Sequence, residues 1–187
     1  AFRYSSYLES VEIADSVVNI GDSTFEYCSS LSSIRIGSHV ASIGDNVFIG
    51  CSSLAEIKVD SNNAYYSSDE LGTLFNKNKT VLIQYPIGNE RESYTIPAGV
   101  TDIGICSFQY CLALKSVYIP SSVTTISDFA FWCCSGITDV SYGATEDQWS
   151  KVSVNIGNDA ILSAVFTYGE EGITKVGIKF LTPIQKD

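Results

Sequence analysis

Apolar positions recur along this chain with a period of 23. Leu8, Leu31 and Leu114 open three copies of one pattern, Leu-x-x-[Val/Ile]-x-Ile-x-x-x-Val-x-x-Ile-[Gly/Ser]-Asp-x-x-Phe-x-x-Cys, and Phe25, Phe48 and Phe131 hold the same place in each. A further copy from Arg91 keeps Ile96, Val100, Ile103, Phe108 and Cys111 but lacks the leading Leu and the Asp. A fixed period of this length is the signature of a repeat architecture. So small a unit cannot bury its own apolar edge, so neighbouring units must stack and cover one another. Phe2 and Ser5 stand 23 positions before Phe25 and Cys28. The chain therefore opens inside a repeat, and further repeats are expected ahead of it.

Inside each unit, Val11-Glu12-Ile13, Ile34-Arg35-Ile36 and Val117-Tyr118-Ile119 alternate with the period of two that marks a short strand with one buried face. Each repeat is expected to give one strand, and equivalent strands to stack about 4.8 Å apart in a parallel sheet. The segment Asp22 to Cys28 begins with an Asp suited to N-capping and is read as one short helical turn on the opposite face. The predicted fold is a right-handed, mainly β, α/β repeat solenoid with ladders of like residues in its core.

From Leu54 to Arg91 the spacing is 91 − 54 = 37, or 14 residues more than one period. The surplus falls at about residues 60–90, where Leu71 to Phe75 and Thr80 to Tyr85 flank the polar stretch Asn76-Lys77-Asn78-Lys79. Two apolar runs about a polar turn predict a β-hairpin insertion. Beyond Tyr142 the pattern stops, with a short helix expected at Glu146 to Trp149 and a strand at Ala164 to Tyr168. Residues 1–142 are thus the repeats and 143–187 a C-terminal cap and tail, because a bare solenoid end would invite edge pairing.

Composition narrows the function. With 45% hydrophobic and 17% charged residues the chain is too apolar to be disordered. It lacks the run of about 20 apolar residues that a membrane span needs. A formal charge of −10 argues against a nucleic-acid partner, whose phosphates reward clustered cations. Four of the six cysteines, Cys28, Cys51, Cys111 and Cys134, share one repeat position, which predicts a buried ladder of reduced thiols. Cys106 and Cys133 lie outside it, and no Cys-x-x-Cys pair is present to suggest zinc. His39 is the sole histidine and falls in a turn. It cannot build a multi-histidine metal site, and no Gly-x-Ser-x-Gly motif accompanies it. The pairs Glu146-Asp147 and Glu170-Glu171 read as solvated faces, without the spacing of a calcium loop. No catalytic, metal or cofactor site is expected. Asn78-Lys79-Thr80 matches a glycosylation sequon.

The phrase Val-x-x-Ile-Gly-x-x-x-Phe-x-x-Cys-Ser-x-Leu, at Val17 to Leu31 and Val40 to Leu54, and the insert GTLFNKNKTVLIQYP closely resemble BspA-type leucine-rich repeats. Those repeats occur in surface and secreted proteins of bacteria and some protists. This chain departs from the general leucine-rich pattern in its Cys and Phe ladders and the lack of an Asn ladder. The resemblance implies a non-enzymatic adhesion or binding module, extracellular or at the cell surface, that does not depend on disulfides. The implied partner is a host or bacterial surface protein or a glycan, met by a monomer. The exposed sheet face is its natural binding surface, with Glu12, Arg35, Lys58, Thr95, Tyr118 and Ser141 at the central strand positions. Charges along that row largely compensate. Tyr118, Trp132, Trp149, Tyr65 and Tyr66 are the aromatic candidates for stacking on sugar rings. The competing reading is a structural spacer that presents other domains of a larger surface protein.

Overall fold

A computed structural model describes residues 1–169 and 175–176. It is a β-solenoid of about seven turns with little helix. The first full repeat gives β1 (Ser10–Glu12) and β2 (Asn19–Ile20), and the second gives β3 (Ser33–Ile36) and β4 (Ser42–Ile43). The third opens with β5 (Glu56–Val59), and the insertion then contributes β6 (Tyr66–Ser68), β7 (Leu74–Asn76) and β8 (Val81–Gln84). The alternation resumes with β9 (Ser93–Thr95), β10 (Asp102–Ile103), β11 (Ser116–Ile119), β12 (Thr125–Ile126) and β13 (Asp139–Tyr142). After these come α1 (Glu146–Trp149), β14 (Ser153–Val154), α2 (Asp159–Leu162), β15 (Val165–Tyr168) and β16 (Lys175–Val176).

The longer strands stack in parallel at the repeat spacing. Val11 pairs with Ile34 and Ile34 with Ile57; after the insertion Tyr94 pairs with Val117, Val117 with Val140 and Val140 with Phe166. Where one strand per repeat was expected, each repeat also yields a second, short one, two residues long except at β8. β2 pairs with β4, and β8, β10, β12 and β14 form a parallel run. Two residues are too few for alternation to betray them, yet Ile20, Ile103 and Ile126 are buried and anchor their rungs, and Ile43 is partly buried.

The expected helical turn is absent. Residues 22–27 form successive turns, with positive φ at Ser23 (52°) and Tyr27 (59°). The same two repeat positions are left-handed at Asn46 and Gly50, Cys106 and Tyr110, and Phe129 and Cys133. An α-helix of L-residues does not admit that conformation. The return is hydrogen bonding between rungs. Ser23, Phe25 and Tyr27 donate their N–H groups to the carbonyls of Asp45, Val47 and Ile49 at 2.9, 3.1 and 2.7 Å. Cys106, Phe108 and Tyr110 do the same to Asp128, Ala130 and Trp132. Asp22 does not cap its own turn; its Oδ1 accepts from the N–H of Asp45 in the next rung, at 2.9 Å.

The predicted ladders fill the core. Phe2, Phe25 and Phe48 stack with ring centroids 5.6 and 6.1 Å apart, and Tyr85, Phe108 and Phe131 at 5.1 and 4.6 Å. All six cysteines are free, and the four of the ladder are buried. Cys28, Cys51 and Cys134 donate Sγ–H to the carbonyls of Phe2, Phe25 and Phe108, 26 residues earlier, at 3.1, 3.0 and 2.9 Å. A small, apolar side chain with a weak donor suits that position.

The insertion interrupts both ladders. The hairpin is present, β7 pairing antiparallel with β8, but a third strand, β6, adds to β7. Successive residues of β7 face opposite ways: Leu74 packs in the core that runs from Ile20 to Ile57, and Phe75 in the core that runs from Leu82 to Phe166. β7 thus seals two stacks against each other. At one edge Gly72 accepts from Ile57 N at 3.1 Å; a Cβ there would lie 2.8 Å from Glu56 Cα, and φ is +77°, so only glycine fits. Asp69 takes Tyr94 OH at 2.9 Å on the other side. The turn is closed by Asn76, whose Oδ1 accepts from Thr80 and Val81 N–H at 2.9 and 3.0 Å. Fully buried Asn63 donates to the carbonyls of Gly37 and Val40 and accepts from Tyr65 and Tyr66 N–H, which leads the chain into β6.

After β8 the repeat register returns, with Tyr85 in the Phe position and Gly88 in the Cys position. At the far end, α1 and β15 occur where expected, and β14 and β15 extend the two sheets by one rung. Trp149 packs between Tyr142 and Phe166, with ring centroids 5.2 and 4.8 Å away. β16 pairs antiparallel with β15.

Candidate binding surface

The central strand positions do stand in register, but as two rows. Glu12, Arg35 and Lys58 are consecutive partners across β1, β3 and β5. Thr95, Tyr118 and Ser141 are consecutive partners across β9, β11 and β13. The insertion's contacts to Ile57 and Tyr94 stand between them. Strand alternation points these six side chains away from the core, because their neighbours Ile34, Ile57, Val117 and Val140 are buried.

Charge on the first row is neutralised pairwise. Arg35 Nη1 lies 2.5 Å from Glu12 Oε1 and Arg35 Nη2 lies 2.7 Å from Asp60 Oδ2. Lys58 Nζ lies 2.9 Å from Glu56 Oε2. The second row is uncharged: Ser141 and Thr167 hydroxyls meet at 2.8 Å, and the Tyr118 hydroxyl lies where a Cβ on Gly143 would come within 2.5 Å of it. One row is a pattern of alternating ion pairs and the other a hydroxyl-rich strip with one aromatic ring.

Among the aromatic candidates, Trp149 is buried in the cap and cannot offer a face to a sugar, because the rung added by β15 covers it. Tyr66 is committed too, its hydroxyl accepting from Ile43 N at 3.0 Å. Tyr65 and Trp132 are exposed. Glu170 and Glu171 lie outside the described residues.

His39 is exposed, and its ring Nδ1 lies 3.1 Å from Ser38 Oγ. Asp15 Oδ1 accepts from both the N–H and the Oγ–H of Ser38 at 2.8 Å, which holds its carboxyl below the ordinary range. The carboxylate therefore grips the serine, whereas a catalytic triad needs it on the imidazole. Burial pushes the Cys51 and Cys134 thiols up to about 12, the opposite of an activated nucleophile.

One rung departs from the 23-residue period. Between the short strand and the aromatic position, the third rung is two residues short: Leu82 pairs with Ile103, 21 residues on, while Tyr85 is 23 residues before Phe108. The turn ridge is notched there. A cleft of about 220 Å³ opens between Asp45–Ile49 of the second rung and Ile105–Cys106 of the fourth, with Ile83 and Gln84 between them. A more open groove, lined by Gly50, Ser52 and Ile87–Glu90, begins one residue beyond Ile49. The signal was in the sequence, in the spacing Leu82 to Tyr85 against Ile103 to Phe108.

The model of the BspA-type leucine-rich repeat region matches residues 1–84 and 88–156, in six copies. Among solved structures, the chain is similar to the pneumococcal vaccine antigen PcpA, at 26% identity and a TM-score of 0.58 over 73% of this chain and 43% of that one. It is also similar to a leucine-rich cell surface protein from Faecalibacterium prausnitzii, at 21% identity and a TM-score of 0.52 over 83% of this chain and 65% of that one. A leucine-rich repeat protein from Eubacterium ventriosum aligns at 22% identity and a TM-score of 0.52 over 73% of this chain and 54% of that one. The chain thus spans roughly half the length of these relatives. No curated protein matches it in sequence. With four-fifths of its length covered by repeat copies in the register seen in the strands, the chain belongs to the BspA-type leucine-rich repeat family.

Proposed function

We propose that this chain is a non-enzymatic interaction module of a surface or secreted protein, and that it binds a protein or glycan ligand through its exposed sheet face. BspA-type repeats are typically carried by surface proteins. The observation that carries the reading is the pair of in-register, outward-facing rows, Glu12/Arg35/Lys58 and Thr95/Tyr118/Ser141, on sheets whose inner faces are core. A rigid sheet holds such groups without the ordering cost that a flexible loop pays on binding. The hydroxyls of Thr95, Ser141 and Thr167 beside the Tyr118 ring suit a polar, ring-containing ligand such as a sugar, and the ion-pair row suits a protein with its own mixed charges.

The test is binding of the purified chain to arrays of glycans and extracellular-matrix proteins beside a charge-matched solenoid. A reproducible hit that Tyr118→Ala or Arg35→Glu weakens at least about tenfold supports the reading. Arrays that give nothing above the control support the spacer reading, in which the paired charges serve only solubility.

A further inference from the structure

We infer that the notch between the two stacks is a second binding site, and that its ligand is an extended segment of a partner polypeptide carrying a basic residue. In every regular rung the N–H groups of the turn donate to the carbonyls of the rung above. Ser23, Phe25 and Tyr27 have their partners, as do Cys106, Phe108 and Tyr110. The corresponding groups of the second rung, Asn46, Phe48 and Gly50, donate to no carbonyl or side chain among the described residues, because the rung above is two residues short and held off by β7. The carboxylate of Asp45 has likewise lost its donor. Its counterpart Asp22 takes the Asp45 N–H, and the residue that would offer the next N–H is missing.

The cap shows that this fold satisfies the first two of these three groups when it closes a stack. Phe131, the counterpart of Phe48, finds its N–H taken at 2.9 Å by Oδ1 of Asn158, a side chain only 1% exposed. Phe129, the counterpart of Asn46, donates to the carbonyl of Ile156 at 2.8 Å. At the notch none of the described residues plays either part. A row of backbone donors at alternate residues, beside one open carboxylate, is complementary to the carbonyls and an N–H of another main chain, which is how strand addition to an open edge works. The charge supports the same occupant. Among the described residues the cleft and groove are lined by two carboxylates, Asp45 and Glu90, and by no cation, so a Lys or Arg on the incoming segment is favoured and an acidic one is not. The site is separate from the sheet face and does not depend on it.

The experiment is a display selection of random peptides of about nine residues, enough to run the length of the Asp45–Cys51 turn at extended rise. It uses the whole chain as bait and removes peptides that also bind an Ile105→Trp variant. Ile105 is 56% exposed and lines the cleft, so the indole blocks the notch without entering the core. The expected result is a set of peptides enriched in Lys or Arg. On binding, the amide protons of Asn46, Phe48 and Gly50 shift and become protected from exchange, while that of Phe131 does not change, and Asp45→Asn weakens binding about tenfold. A selection that yields no peptide lost on Ile105→Trp overturns the proposal. So does a peptide whose binding moves the amides of the sheet rows and leaves those of Asn46, Phe48 and Gly50 in place.

Discussion

Removing one ring from the aromatic ladder should cost different amounts in the two stacks. Phe108 is fully buried and has three ring neighbours, Phe131 at 4.6 Å, Tyr85 at 5.1 Å and Tyr94 at 5.9 Å. Phe48 is as deeply buried, at 2% exposure, but among the described residues its one ring neighbour is Phe25, at 6.1 Å. Truncating a buried Phe to Ala costs about 3–5 kcal/mol, from lost transfer energy and the cavity left behind. Each well-placed aromatic pair adds about 0.5–1.5 kcal/mol. Phe48→Ala should therefore fall near the lower bound, about 3 kcal/mol, and Phe108→Ala about 1–2 kcal/mol beyond it. Urea unfolding followed by circular dichroism separates them, since at a slope of about 1–3 kcal/mol per molar the two midpoints differ by roughly 1 M. If Phe108→Ala leaves no folded baseline, the pair Phe108→Leu and Phe48→Leu keeps the comparison with smaller cavities. Equal losses, or a larger loss at Phe48, would refute the view that the insertion isolates Phe48 at the end of its stack.

Arg35→Ala should change stability by less than about 1 kcal/mol, since both of its ion pairs are at the surface; thermal unfolding at low and high salt checks this. Restoring the ladder residue with Gly88→Cys should destabilise by about 1–3 kcal/mol or more, because a Cβ at Gly88 would lie 2.4 Å from the Ser53 carbonyl carbon; a gain in melting temperature would refute it. The thiols predict a drop in stability under alkaline conditions. Folded Cys51 and Cys134 keep their protons up to about 12, whereas unfolded cysteines lose theirs from near 9, so above pH 9 the unfolded state binds fewer protons and stability falls until about pH 12. Denaturant midpoints between pH 8 and 10.5 should decline less in Cys51→Ala than in the parent. With a thiol reagent at pH 8, exposed Cys133 should react first and Cys51 and Cys134 only on unfolding.

The ladders were legible because stacking turns one buried position into a residue type repeated every 23 positions. Phe25 and Phe48, and Glu12 and Arg35, meet where that period puts them, and Cys28 and Cys51 share one buried position of the repeat. What periodicity could not show was backbone conformation. The Asp of each unit reads as a helix cap by residue type, and only the left-handed φ of Ser23 and Tyr27 sends its bond to the next rung instead. Residue type is a local signal, and here the stacking of rungs overrides it.

The insertion shows the same limit from the other side. Its hairpin was readable from two apolar runs about Asn76 to Lys79, but the runs alone do not reveal that β7 serves two cores, with Leu74 facing one and Phe75 the other. Adjacent apolar residues on a strand are the mark of burial on both faces, so Leu-Phe in a hairpin between repeats carries more information than the hairpin itself. A strand covered on both sides must lie between the stacks, and one lodged there holds the rungs above and below apart. Open backbone donors on the second rung then follow from the same pair of residues that made the insertion look ordinary. Shortening the hairpin from Ser68 to Val81 to a two-residue turn should therefore either let the rungs close, with the amides of Phe48 and Gly50 becoming protected from exchange, or unfold the chain where Leu74 and Phe75 are lost. Protection gained without loss of fold would show that the wedge alone keeps the notch open. A chain that stays folded with Phe48 and Gly50 unprotected would place the cause in the two missing residues before Tyr85.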